Sequence, residues 1–303
     1  EASSSIFGLR DPGDIFYLTD LLDRLGIEAG TFGFTVAMAF EAYEKGLITK
    51  EDTDGLELRW GDPEVVEKIM RKWAYRDGFG DVLARGLTAA AEIIGGDSSN
   101  FTFSVKGTPI PLHDWRNQWA RMLSFITGTG SGHNGRMAEL GPDTDLGYPA
   151  PIPGVSAKGK PLMVAKANMR GGVVNSLGVC DFATSGITIL DDIVEALSAA
   201  TGWECSKEEL LQIGERITNL ERAFNVRHGL TPYDDYNVPA RLVEEPPQGL
   251  PGHGKALKDY LQGMINEYYE IMGWDMKSGK PWISTLKRLG LEGVARDLWG
   301  SNS

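Results

Sequence analysis

Few side chains in this 303-residue sequence can do chemistry beyond simple charge. There are two cysteines, Cys180 and Cys205, and four histidines, His113, His133, His228 and His253. A thiolate is a soft, anionic ligand and a nucleophile. Two thiols cannot fill a four-thiolate site, and two are too few for a disulfide framework, so a reducing cytoplasm is the expected compartment. A lone cysteine is most often a small buried hydrophobe, the reading given to Cys205 in Trp203-Glu204-Cys205-Ser206. His133 stands out by its setting, Gly128-Thr129-Gly130-Ser131-Gly132-His133-Asn134-Gly135-Arg136. An imidazole titrates near neutrality and can shuttle a proton, or it can be a loop residue bonded to backbone; the residues alone leave both open. His113, His228 and His253 read as surface or helix-end residues. Arg116 and Arg136 are suited to an anionic substrate or a phosphate, or they are surface cations.

The elements that must position these groups are mostly helices. Ile15, Leu18, Leu21, Leu22 and Leu25 fall at helical spacing across 11–24. The pattern returns over 34–45 and stops at Gly46, a C-terminal cap signal. Asp62-Pro63 opens a helix whose stripe is Val66, Ile69, Met70 and Trp73. Residues 81–94 predict one further helix ending at Gly95-Gly96. The period then changes: Phe101, Phe103 and Val105 alternate with polar residues, which predicts a strand. Residues 107–185 are rich in Gly and Pro and show little periodicity, especially over 128–160, a length of irregular chain that is usually functional or disordered. Helices resume at 188–201 and, after the capping box Ser206-Lys207-Glu208-Glu209, run to about 228. A Pro-rich loop over 231–254 precedes a last long helix near 255–272. The expected fold is mainly α with few short strands, in two helical domains, 1–110 and 111–303. Trp60, Trp73, Tyr75 and Phe79 read as packing residues, and Thr49 to Asp54 as a solvated loop.

Composition narrows the function. The formal net charge is -12, which disfavours general nucleic-acid binding because phosphate contacts need clustered Lys and Arg. No run of about 18 apolar residues is present, so no membrane helix is expected. Glu1-Ala2-Ser3-Ser4-Ser5 has neither a basic nor an apolar leader region and no initiator Met. It reads as the start of a processed product or of a piece cut from something longer.

Three stretches stand out, in order along the chain. One runs from Ala37-Met38-Ala39-Phe40-Glu41 through Glu44-Lys45-Gly46-Leu47-Ile48-Thr49, Gly61-Asp62 and Ala74-Tyr75-Arg76-Asp77-Gly78-Phe79-Gly80-Asp81-Val82-Leu83-Ala84. A second is Val105-Lys106-Gly107 with Ile110-Pro111 and Asp114-Trp115-Arg116. A third is Leu220-Glu221-Arg222-Ala223-Phe224-Asn225-Val226-Arg227 with Gly229 and Asp234-Asp235. Together they span about residues 10–295 and resemble, in the same order, the tungsten-containing aldehyde ferredoxin oxidoreductase family; the resemblance implies that family's C-terminal half, its domains 2 and 3.

The resemblance implies a cofactor. The family binds two pterins with Asp-x-x-Gly-Leu motifs followed by Asp or Cys. The first is similar to Asp23-Arg24-Leu25-Gly26-Ile27-Glu28, the second to Asn175-Ser176-Leu177-Gly178-Val179-Cys180. A short acceptor side chain can take hydrogen bonds from pterin N–H groups, and Gly lets the backbone come close. Asn175 departs from the pattern: it keeps an acceptor and loses the charge. By the same resemblance Cys180 is one of four thiolates on a [4Fe-4S] cluster. The other three belong to a Cys-x-x-Cys-x-x-x-Cys stretch absent here, so an N-terminal half, in the same or a separate chain, is the expected partner. The implied cofactor is tungstopterin, a bis-molybdopterin with tungsten or molybdenum, with Mg2+ bridging the pterin phosphates. Electrons would pass through the cluster to ferredoxin or an electron-transfer subunit, as an aldehyde or related small molecule is oxidised. His133 corresponds to a histidine near the metal, and 128–136 with Thr184-Ser185-Gly186 to pocket wall. Where some members carry a metal-binding Glu-x-x-His, this chain has Tyr17-Leu18-Thr19-Asp20, so no bridging metal is expected. The alternative is a helical docking or assembly module that kept the fold and lost the metal site.

Overall fold

The computed structural model describes residues 3–111, 113–128, 153–179 and 190–300. In chain order its helices are α1 (Pro12–Arg24), α2 (Ala29–Glu44), α3 (Pro63–Tyr75), α4 (Phe79–Leu83), α5 (Leu87–Ile94), α6 (Trp119–Thr127), α7 (Lys160–Ser176), α8 (Leu190–Thr201), α9 (Lys207–Arg227), α10 (Pro232–Tyr236), α11 (Ala240–Val243), α12 (Lys258–Met272), α13 (Ile283–Arg288) and α14 (Glu292–Trp299). Among the described residues the only sheet is the antiparallel pair β1 (Ser104–Val105) and β2 (Thr108–Pro109). The mainly α class is therefore as expected. Two compact units are present: one extends to Asp114 and takes in Val238–Leu242, the other begins at Trp115 and holds the other described residues.

In the first unit, α1 begins where the Asp11 carboxylate accepts the N–H groups of Gly13 and Asp14, with Pro12 at the first position. Asp62 and Pro63 open α3 in the same way. α2 lies at the centre, buried on nearly every side. Phe32 and Phe40 on it meet the Phe7 ring at centroid distances of 6.0 and 5.7 Å, and Trp73 closes on Phe32 at 5.4 Å. Three expectations need correction here. Residues 81–94 form two helices, because Gly86 at φ +92° breaks the run. The strand is confined to Ser104–Val105, since Phe101 closes a 3-10 turn over Ser98–Phe101 and its ring goes into the core. Tyr75 is largely exposed, unlike Trp73 and Phe79. The return of 238–242 to this unit is held by Arg241, whose two guanidinium nitrogens meet the two oxygens of Glu41 at 2.6 Å.

The second unit is organised around α7. The sequence pattern misses this helix because it is buried on most faces and carries no amphipathic stripe. Its neighbour α9 starts with the expected capping box, Ser206 and Glu209 each bonding the other's backbone N–H. The two helices come into close contact because Gly214 has no side chain: a Cβ there would lie 1.8 Å from the Met169 carbonyl oxygen. The Pro-rich 231–254 segment holds two short helices, α10 and α11, and α12 is followed by α13 and α14, which the pattern did not signal.

Across α9, α10 and α12 runs a fully buried polar cluster. The Arg222 guanidinium donates to Asp235 at 2.8 Å and to the Gly279 carbonyl at 3.0 Å, and also bonds the Tyr269 hydroxyl. It lies 4.5 Å from the Trp274 ring centroid. Arg222 and Asp235 are both residues that carry the family resemblance, so that stretch marks core architecture.

These contacts give two tests. Asp235→Ala leaves a buried guanidinium without its charge partner, and we expect a loss of about 3–5 kcal/mol in urea unfolding; a loss below about 1 kcal/mol would contradict this assignment. Glu41 is partly buried, which opposes ionisation, but its bonds to Arg241 and Lys45 outweigh that and hold its pKa below the ordinary 4.5. A depressed carboxylate stabilises above its unfolded pKa and stops doing so as pH falls through the folded one. Residues 238–242 should thus resist pepsin at pH 4.5 and lose that protection as the pH falls further, through the lowered pKa of Glu41, whereas Arg241→Ala should be cleaved throughout. Equal profiles would remove Glu41 from the account.

Candidate functional site

The first motif is a corner between two helices. Asp23 is in the last turn of α1, Leu25 is its C-cap at φ -82°, and Gly26 comes next at φ +66°, a left-handed conformation natural to glycine. The N–H groups of Gly26 and Ile27 fold back to the carbonyls of Asp23 and Leu22 at 3.1 and 3.2 Å. Ile27 is buried in the core, anchoring the corner. Glu28 is the N-cap of α2: its carboxylate accepts the N–H groups of Gly30 and Thr31 at 2.7 and 2.6 Å. The motif's final acidic side chain is thus engaged in starting a helix. Asp23 is exposed and has no side-chain bond among the described residues.

The second motif repeats this geometry at the end of α7. Asn175 and Ser176 are its last two residues, Leu177 is the C-cap at φ -78°, and Gly178 comes next at φ +70°. The Leu177 N–H bonds the Val174 carbonyl at 3.1 Å, and the Ser176 hydroxyl bonds the Gly172 carbonyl at 2.8 Å. The N–H groups of Gly178 and Val179 make no hydrogen bond among the described residues. All five residues from Asn175 to Val179 are exposed. Among the described residues, nothing lies within 4 Å of where a Cβ would be at either Gly26 or Gly178. Each motif is therefore an open ledge: an outward hydrogen-bond acceptor, a left-handed Gly, and clear space over the backbone. A flat, polar heterocycle fits such a ledge.

Cys180, His133, Arg136 and Thr184-Ser185-Gly186 lie outside the described residues. Arg116 donates to the Glu245 carbonyl at 3.5 Å. The Tyr17 hydroxyl donates to Glu67 at 3.0 Å. Among the described residues no three His, Cys, Asp or Glu side chains converge to hold a metal, and no helix is long and apolar enough to cross a membrane. Cys205 is buried beside Val173, Val174 and Leu210. A cleft of about 440 Å3 in the first unit is lined by Thr31, Arg85, Thr88, Glu92 and Gly107. Arg85 is paired with Asp81, so this cleft offers hydroxyls and backbone rather than a free cation.

Residues 2–291 match the family described as aldehyde ferredoxin oxidoreductase, domains 2 and 3. The chain belongs to this family. The tungsten-containing aldehyde ferredoxin oxidoreductase of Pyrococcus abyssi is 36% identical over 289 residues, which cover 94% of this chain and 46% of that protein. An aliphatic sulfonate oxidoreductase, WOR-like subunit, of Pyrococcus furiosus is 30% identical, over 96% of this chain and 45% of the relative. Among solved structures, the active site complex BamBC of benzoyl coenzyme A reductase with 1,5-dienoyl-CoA superposes with a TM-score of 0.75 over 94% of this chain and 47% of that one, at 22% identity, a likeness of fold. The chain spans about half the length of these relatives.

Sequence reasoning missed the residues that hold α7, the helix that ends in the second motif. Asn168 and Gly214 carry no motif; only the unusual presence of a polar residue and a glycine inside helices could have pointed to them. The ledges themselves give a test. Gly26→Ala and Gly178→Ala should each cost about 1–2 kcal/mol, the left-handed penalty without a clash, read by thermal melting. Asn at either position should recover most of this, because Asn tolerates that conformation. A loss above about 4 kcal/mol would show that the space is not open.

Proposed function

We propose that this chain is the C-terminal half of a tungstopterin oxidoreductase that also holds a [4Fe-4S] cluster and oxidises an aldehyde or related small molecule. The observation that carries this reading is the pair of matched ledges at the ends of α1 and α7. When bound, the tungsten or molybdenum dithiolene group supplies the two-electron redox chemistry. The chain's own part is to hold and orient it. The Asp23 carboxylate and the Asn175 side-chain oxygen accept from pterin N–H groups. The open N–H groups of Gly178 and Val179 donate to ring nitrogen or carbonyl acceptors. Gly26 and Gly178 let the ring approach the backbone. Leu25, Ile27, Ser176 and Leu177 shape the two corners, and Glu28 fixes the start of α2 behind the first.

On this reading Cys180, directly after the second ledge, gives a thiolate to the cluster, and an N-terminal half gives the other three. His133 holds or passes on the proton released by the substrate. A Mg2+ ion would neutralise the pterin phosphates. Ferredoxin or an electron-transfer subunit takes the electrons in the cytoplasm.

Metal analysis of the chain purified with its complementary half should find tungsten or molybdenum, iron and releasable pterin. A complex containing none of the metals would leave the assembly-module reading in its place. Cys180→Ser should lower iron content and change the reduced-state paramagnetic signal; unchanged iron and signal would remove Cys180 as a ligand. His133→Ala should lower turnover at least tenfold with cofactor content kept, within the range for a general acid or base. Wild-type turnover would make it a structural loop residue.

A further inference from the structure

We propose that Asn168, held by Ser124 and Tyr268, is a positioning residue for the second ledge; this rests on the reading that the ledge binds a pterin. Asn168 is 5% exposed, in the middle of α7. Its side-chain oxygen accepts from the Ser124 hydroxyl on α6 at 3.3 Å. Its amide nitrogen donates to the Tyr268 hydroxyl on α12 at 2.9 Å. One amide thus ties α7 to two other helices, in directions set by its planar donor and acceptor. The next residue, Met169, has its carbonyl against Gly214 of α9. At this level α7 is fixed from three sides, in rotation and along its axis.

Asn175 lies seven residues further on, two helical turns and about 10 Å along the axis, on the same side of the helix. Between them Val173 and Val174 pack in an apolar cluster with Leu190 and Leu210, contacts without direction that tolerate small rotations. The bonds of Asn168 are therefore directional holds on the helix that sets where Asn175, Gly178 and Val179 point. Displacements of about 1 Å at a binding constellation are costly, so a slip or turn of α7 moves the whole ledge.

Two adjacent tyrosines provide the test. Tyr268 bonds α7 through Asn168, whereas Tyr269 bonds Arg222 and Asp235. Tyr268→Phe, Asn168→Leu and Tyr269→Phe would be compared in the assembled enzyme. Three readouts apply: the rate of tungstopterin loss after gel filtration, the tungsten paramagnetic signal, and amide exchange of residues 173–179. Tyr268→Phe and Asn168→Leu should lose cofactor several-fold faster, shift the signal and exchange faster over 173–179. Tyr269→Phe should lower the melting temperature and leave all three readouts as in the wild type. If the two Phe variants behave alike, or if Tyr268→Phe and Asn168→Leu match the wild type, the positioning role is overturned. Should Asn168→Leu fail to fold, the two Phe variants decide the matter. A wild-type complex without pterin would overturn the functional reading itself, an outcome distinct from wild-type-like variants in a pterin-loaded enzyme.

Discussion

The second unit depends on a hub at Tyr268 and Tyr269. These neighbours on α12 send their hydroxyls to different helices, one to Asn168 of α7 and one to the Arg222–Asp235 pair of α9 and α10. Trp274 stands edge-on to both rings, at 5.4 and 5.3 Å, and its indole N–H donates to Asn219 of α9 at 2.9 Å. A buried ion pair is not by itself a source of stability, because desolvation offsets the attraction. Its demand for complete hydrogen bonding is geometric. Arg222 must find Asp235, Tyr269 and the Gly279 carbonyl at once, and only a glycine fits at 279, where a Cβ would come within 2.5 Å of the guanidinium. Burial, then the nearby Asp235 charge, raises the Tyr269 pKa well above the ordinary 10.0, so its hydroxyl stays a donor. This cluster holds α9, and α7 packs against α9 at Gly214.

The first ledge is held in a different way. Its support is local: two amides turned back into α1, a buried Ile27, and a Glu28 cap that starts α2. α2 is the most enclosed helix of its unit, so the corner at its start inherits the rigidity of the core. The two ledges match in backbone shape but differ in what they leave open. The first presents a carboxylate with its amides used; the second presents a neutral amide side chain with two backbone N–H groups free among the described residues.

The sequence was most legible where local chemistry decides the outcome. Caps at Asp62 and Ser206, the α1 stripe and the stop at Gly46 all come from short-range rules, and they appear as read. It was least legible where tertiary contact decides. α7 has no stripe because its surroundings are apolar on most sides and polar at Asn168, so periodicity carries no signal for it. The alternation at Phe101, Phe103 and Val105 suggested a strand, yet Phe103 stacks on Phe34 at 5.3 Å and Phe101 turns into the core, with a cation from Lys45 over its ring. The two motifs are visible as patterns; that they lie at helix ends with a left-handed Gly is not, because the turn of a Gly depends on the path the chain takes beyond the helix.

The departure at Asn175 acquires a physical meaning from its place. Both acceptors sit in the last turn of a helix, where the carbonyl ends give a partial negative charge, and a carboxylate there is disfavoured by about 0.3–1 kcal/mol. Asp23 bears that penalty without a cationic partner among the described residues. Asn175 avoids it. In exchange, a neutral acceptor gives a hydrogen bond of about 0.5–1.5 kcal/mol where a charged one gives about 1.5–3. On the proposed reading the second ledge must therefore draw its hold from elsewhere, and the open amides of Gly178 and Val179 are the groups in place to supply it. Backbone amides cannot swing to find a ligand as a side chain can. Their direction is set by the helix that precedes them, and this makes the seating of α7 matter more to the second ledge than the seating of α1 does to the first.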